Sequence, residues 1–260
     1  MKKTFLILSA MFLIVMVCSC CTIPGNAIEG SGNVTSIKKN FDGFKKIKIA
    51  NACKANIGSD KNYHVEIRID DNIAKYLIAK KDGDTLKISL ESGRHYRDMT
   101  FEANVTLPDL RGLNLSGASS ARISGFSSGR DFRCKVSGAS ALYGKMNTGK
   151  AFFDLSGASS ASGTMNTEDA EFELSGASHL TLRGEGKDIK IDASGASSLD
   201  LGDFVTGNCD VNLSGASRAT VNMNGRLDGS MSGASKLSYY GTITLGDLST
   251  SGASKLMRRD

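Results

Sequence analysis

The sequence predicts an all-β chain wound as a β-solenoid, and three observations predict it. Ser-Gly-Ala-Ser occurs eight times, beginning at Ser116, Ser137, Ser156, Ser175, Ser194, Ser214, Ser232 and Ser251. The intervals are 21, 19, 19, 19, 20, 18 and 19 residues in a chain of 260. Apolar and polar residues alternate on both sides of each copy. A fixed period of about 19 residues with strand-like alternation describes coils that cannot bury their apolar faces alone and stack to do so.

Each coil can be read from its first Ser, taken as position 0. Position −1 is Leu115, Val136, Leu155, Leu174, Ala193, Leu213, Met231 and Thr250, and position −3 includes Leu113, Cys134, Phe153, Phe172, Ile191 and Val211. The residues between are mostly polar, so this run is a strand with one face inward. After the tetrapeptide, position +5 is Leu or Ala in every copy and +7 includes Ile123, Leu182, Leu201 and Val221, which makes a second strand. A variable Gly/Asn/Asp-rich segment closes the coil. Gly at +1 permits a backbone angle or a close approach that a Cβ forbids. The two Ser are expected to stack into ladders whose hydroxyls bond the next coil or the bend. The invariant Ala at +2 is read as a tight inward site, so Ala177→Leu is expected to overpack it at a cost of about 1–3 kcal/mol. Eight coils spaced by about 4.8 Å make a rod on the order of 38 Å long.

Ahead of the repeats, residues 1–19 read as a targeting segment, with Lys2 and Lys3 followed by an apolar run from Phe5 to Val17 that is short for a membrane span. The sequence Val17-Cys18-Ser19-Cys20 resembles a bacterial lipobox, which makes Cys20 the expected lipidated N-terminal residue; the alternative is an ordinary secretory signal cut near Cys21. Residues 20–40 read as a flexible tether. Residues 41–110 alternate without the tetrapeptide and read as leading coils, with candidate strands at 45–50, 64–69, 85–90 and 101–106. Within them Ile73, Tyr76 and Leu77 fall at helical spacing after Asp70 and Asp71, so a short helix or loop is expected to cap the exposed end. Residues 111–257 are the repeat coils.

Composition narrows the function. Aromatics are 7% and Trp is absent, which suits a narrow interior. A formal net charge of +5 is too small to indicate nucleic-acid binding in an exported chain. Of six Cys, Cys18, Cys20 and Cys21 belong to the signal region. Cys134 and Cys209 lie on inward positions four coils apart, roughly 19 Å, beyond disulfide reach. They read as buried free thiols, and Cys53 has no evident partner.

The repeated Ser are structural, because a nucleophile does not need eight copies. His64, His95 and His179 are scattered without metal-ligand spacing, and no Gly-x-Ser-x-Gly elbow is present. No catalytic residue, cofactor or metal site is expected. One open question is an acidic face: Glu171, Lys190, Asp210, Asp228 and Asp247 share position −4, and Asp154, Glu173 and Asp192 share −2. Stacked carboxylates could share a divalent cation, with Asp210, Asp228 and Asp247 the candidate ligands, or have raised pKa values; a solvated face is the simpler reading. The +4 row ends His179, Ser198, Arg218, Lys236, Lys255, a basic stripe that could meet an acidic glycan or a membrane.

Residues 41–257 resemble the auto-transporter adhesin family with the head GIN domain, common in Bacteroidetes. The resemblance rests on the order and spacing of several stretches: Asn40-Phe41-Asp42-Gly43-Phe44-Lys45-Lys46-Ile47, Asp82-Gly83-Asp84-Thr85-Leu86-Lys87-Ile88, Val105-Thr106-Leu107-Pro108-Asp109-Leu110, then the tetrapeptide array. It implies a right-handed parallel β-helix and no established catalytic residues. Members often carry lipoprotein signals, consistent with Cys20, although no acidic residue follows it before Glu29, where lipoproteins exported to the surface of Bacteroidetes tend to carry them. The expected protein is a non-catalytic, lipid-anchored envelope module, adhesin-like or scaffolding. Its partners are the membrane through Cys20 and a glycan or envelope protein, on either face of the outer membrane. The alternatives are a carbohydrate-active β-helix enzyme and a periplasmic stress or assembly factor.

Overall fold

The computed structural model describes residues 27–259. The leading strands are β1 (Ile28–Glu29), β2 (Val34–Lys38), β3 (Lys46–Ile49), β4 (Lys54–Ser59) and β5 (His64–Asp70); then, after the single-turn helix α1 (Asp71–Ala74), come β6 (Leu77–Asp82), β7 (Thr85–Leu90), β8 (Tyr96–Arg97) and β9 (Phe101–Leu107). The repeats begin with β10 (Gly112–Leu115) and β11 (Ser120–Ser127) and continue in pairs, from Phe132–Val136 with Ala141–Asn147 to Thr244–Thr250 with Lys255–Arg258. The first strand of every pair joins one 11-stranded sheet and the second joins a 12-stranded sheet. Each repeat strand pairs in parallel with the equivalent strand one coil away, for example Leu113↔Cys134↔Phe153↔Phe172. This is the expected β-solenoid.

Like residues therefore stack on like. Leu115, Val136, Leu155 and Leu174 form one buried column at position −1. Beside it Phe153 and Phe172 stand with ring centroids 5.9 Å apart. Full burial of a side chain such as Phe172 stabilises by roughly 1.5–3 kcal/mol. On the facing sheet, Leu142, Ala161, Leu180 and Leu199 close the interior at +5.

The corners depart from the expectation in one respect. Ala at +2 is exposed in the coils, as at Ala139, Ala158 and Ala177, and Ser at +3 is the buried residue, at 0–1% exposure from Ser119 to Ser235. The cause is the glycine. Gly at +1 takes φ between 65° and 74° in all eight copies, and a left-handed residue breaks the in-out alternation of a strand. Three residues then face outward and the next faces inward. Most of the buried hydroxyls find carbonyls: Ser119 and Ser197 donate to the first Ser of their own corner at 2.8 Å, and Ser159 donates to Val136 of the preceding coil at 3.0 Å, while the Ser235 hydroxyl is left without a partner among the described residues. The corner backbone continues the ladder. Ser156 N–H donates to Val136 O, Ala158 N–H to Gly138 O and Ser160 N–H to Ser140 O, each at 2.9 Å.

The leading region differs more. Strands β3 and β4 form a coil, but it is not the end of the rod. It lies between β10/β11 on one side and β7/β9 on the other, so the chain winds one coil, turns back to lay another outside it, then crosses over to start the repeats. The cap is mostly antiparallel strand, with β6 on β7 and β2 and β5 beyond β9, and the helix is a minor part of it. The expected tether is corrected too. From residue 28 it contributes β1 and β2, and β2 pairs with β5. Buried Asp70 ties these pieces together by accepting from the N–H of Gly32 at 3.1 Å and of Thr100 at 2.8 Å. The targeting segment and Cys20 lie outside the described residues.

The β3–β4 coil carries a corner that the sequence hides. Its register places Ala50-Asn51-Ala52-Cys53 beside Ser116-Gly117-Ala118-Ser119. Asn51 occupies the glycine position at φ 66°, which Asn tolerates better than most residues. Its side-chain oxygen accepts from Leu90 N–H at 3.0 Å. Cys53 fills the buried serine position.

The corner and the core make three predictions. Gly176→Ala places a Cβ 2.7 Å from Gly157 O at φ 73° and should cost at least about 1–3 kcal/mol. Ala177→Leu, now on the surface, should stay within about 0.5 kcal/mol. Thermal melting of the two variants against the parent checks both. Burial raises the thiols of Cys53 and Cys209 to about 12 and that of Cys134 further. Peptide mass spectrometry should therefore find all three unalkylated by iodoacetamide in the native protein near pH 8 and alkylated in denaturant.

Candidate functional site

The outer face of the 11-stranded sheet is where register gathers charge. Along position −2 the order through neighbouring strands is Lys80, Lys87, Lys48, Asn114, Lys135, then Asp154, Glu173, Asp192, Asn212. Position −4 follows suit with Lys46, Gly112 and Arg133, then Phe152, Glu171, Lys190, Asp210 and Asp228. One face of the rod is thus basic toward the cap and mainly acidic beyond Phe152, with Lys135 and Asp154 paired at the boundary at 2.5 Å.

The acidic half is internally compensated. Lys190 reaches Asp192 at 2.9 Å and Glu171 at 3.6 Å, and the hydrogen bond it donates to Asp192, then the Asp192 charge, hold the Lys190 ammonium above its ordinary range. Asn212 donates to Asp192 at 3.0 Å. The candidate cation ligands do not converge. A bulge opposite Asp228 displaces Asp247 from the row, and Arg226 lies between them at 2.7 Å from Asp228 and 3.3 Å from Asp247. Hydrogen bonds from Arg226 and then from Asp247 N–H lower the Asp228 carboxyl instead of raising it. Among the described residues no group of three or more His, Cys, Asp or Glu is placed to hold a metal ion.

The basic half is less compensated. Lys46 pairs with Asp84 at 3.1 Å and Arg111 with Asp109 at 2.7 Å. Arg133 lies over the Phe152 ring at 3.9 Å. Lys48, Lys80, Lys87 and Arg133 have no ion-pair partner among the described residues. Because Gly112 and Asn114 are short, the sheet surface dips between the flanking Lys and Arg side chains. The depression holds about 730 Å³, with Lys46, Lys48 and Arg111 on one side and Arg133, Phe152, Asp154 and Glu173 on the other.

On the 12-stranded sheet, register confirms the row His179, Ser198, Arg218, Lys236, Lys255. The first Ser of each corner, from Ser116 to Ser251, is half-buried or exposed at the edge between the sheets. The basic cluster around Lys48 was not evident in the sequence. Its signal was the alternation of Lys46-Ile47-Lys48-Ile49, but only the crossover sets that strand beside Asn114.

Residues 43–242 match the family described as "Putative auto-transporter adhesin, head GIN domain". No curated protein matches. Among solved structures, a "putative lipid binding protein" from Parabacteroides distasonis superposes with TM-score 0.84 at 18% identity, covering 90% of this chain and 100% of its own. A "putative adhesin" from Parabacteroides merdae gives 0.83 at 16%, covering 91% and 100%. A "putative adhesin" from Bacteroides fragilis gives 0.69 at 15%, covering 90% and 100%. At these identities the likeness is one of fold.

Arg226→Ala should let the Asp228 carboxyl titrate higher, though still held down by Asp247 N–H, as read by carboxyl NMR. In the parent protein the pair is complete above the ordinary carboxylate range and is lost as pH falls through the depressed Asp228 value.

Proposed function

We propose, for a chain that belongs to the auto-transporter adhesin, head GIN domain family, that it is a non-catalytic binding module of the cell envelope, held to the outer membrane by lipid on Cys20. The observation that carries this reading is the long regular face of the 11-stranded sheet, on which a compensated acidic half adjoins a basic half with a depression. Such a face recognises a partner by charge and shape and has no need of a reacting group. The descriptions of the similar solved structures, adhesin and lipid-binding protein, agree with a binding role. The strongly raised pKa values belong to buried thiols, which burial makes inert.

The test is protease accessibility on intact cells beside cells with the outer membrane opened, with and without Cys20→Ser. Digestion of the intact-cell sample, and release of the protein from the membrane fraction by Cys20→Ser, are the expected results. Protection until the membrane is opened overturns the adhesin reading and favours a periplasmic partner. Retention of the Cys20→Ser protein overturns the lipid anchor.

A further inference from the structure

We propose that the depression over Gly112 and Asn114 binds a compact saccharide bearing two or more phosphate, sulfate or carboxylate groups. The proposal rests on the binding-module reading and names its ligand class. Four observations carry it.

The first is uncompensated charge. Lys80, Lys87 and Lys48 stand on successive neighbouring strands, spaced about 4.8 Å apart, with no carboxylate in ion-pair contact among the described residues. Like charges at this spacing repel by about 1 kcal/mol even in water. The acidic half of the same face shows how this sheet otherwise handles such stacking, by interposing Lys190 and Arg226. Near the cap, Asp84 and Asp109 answer Lys46 and Arg111, but nothing is interposed among Lys80, Lys87 and Lys48; Lys48 lines the hollow, and an anionic ligand there would supply the missing charge.

The second is shape. A volume of about 730 Å³ is within the range of small-ligand sites, roughly 300–1,000 Å³. It exists because short residues occupy both outward positions of β10, while the adjoining strands carry Lys and Arg. A Cβ on Gly112 would approach the Lys46 side chain to 3.1 Å. The third is chemical variety across the hollow. Cations line the cap side and the middle, and Asp154, Glu171 and Glu173 line the far wall, two and three strands beyond β10. Anionic groups suit the first, and hydroxyls suit the second as donors.

The fourth decides against a membrane plane. The cationic stretch from Lys80 to Lys135 spans four strand spacings, roughly 19 Å, and the same face then turns acidic at Asp154, Glu171 and Glu173. An anionic bilayer laid along this face would meet both halves, whereas a compact ligand meets only one. The basic stripe Arg218, Lys236, Lys255 lies on the other sheet.

The experiment uses the full-length protein, purified in detergent, with size-fractionated dextran sulfate oligosaccharide as probe, neutral dextran as control, and phosphatidylglycerol-containing vesicles as a separate arm. Calorimetry should show binding to dextran sulfate that weakens as salt rises. Lys48→Glu with Lys87→Glu should weaken it by about tenfold or more. Asn114→Trp, which fills the hollow and leaves charge unchanged, should weaken it comparably at an unchanged melting temperature. Arg218→Glu with Lys236→Glu should leave it within about twofold. Equal loss in the two double charge variants, or full binding by Asn114→Trp, overturns the site in favour of diffuse charge attraction. Binding to vesicles alone overturns the saccharide. No binding to either probe overturns this inference but leaves the envelope reading standing, because that is decided by protease access and Cys20→Ser.

Discussion

Everything in this rod depends on one close approach, glycine over glycine at the corner. A Cβ on Gly176 would lie 2.7 Å from Gly157 O, and one on Gly195 would lie 2.6 Å from Gly176 O. Coils can reach hydrogen-bonding distance through their bends only if that atom is missing. Once they do, the ladder runs from one sheet into the other at each corner from Ser156 onward, where backbone N–H groups of the bend donate to the neighbouring coil. Left-handed φ at the same residue turns the second Ser inward, where in most corners its hydroxyl closes onto a carbonyl. Conformation, stacking and polar satisfaction therefore converge on four residues.

The first coil meets the same demands with different residues. Asn51 accepts the left-handed angle and Cys53 fills the buried slot. The coil outside it, β7 and β9, has no such corner: the chain leaves β7 at Leu90 and returns at Phe101 through an excursion containing β8. Beyond that coil, β6 and the β2–β5 pair cover the sheets with antiparallel strands, and β6 carries Lys80, Lys81 and Asp82 on its edge. Charge and strand reversal protect an edge that would otherwise offer pairing to another chain.

Stacking has a consequence for charge. Parallel register brings each outward residue next to its equivalents one coil away, so coil-to-coil variation becomes a pattern along the rod. Where acid stacks on acid, Lys190, Asn212 and Arg226 intervene. Near the cap, cations accumulate around the dip at Gly112 and Asn114. The architecture imposes no such requirement, because outward positions are free of packing.

The eight tetrapeptides and their spacing were enough to determine the solenoid, the two strands of each coil and the inward positions −1, −3 and +5, because a parallel stack repeats one environment and repeated environments select repeated residues. The buried thiols Cys134 and Cys209 were legible for the same reason. Ala177 and Ser178 were not assigned to their proper faces, since alternation cannot be carried through a left-handed glycine without knowing its φ. The order of the leading strands was also beyond the sequence. Neither alternation nor turn residues record that β3 lies between β7 and β10, a choice made by the long-range pairing of Lys48 with both Lys87 and Asn114. The basic hollow exists only through that pairing, so the candidate site was decided by tertiary structure.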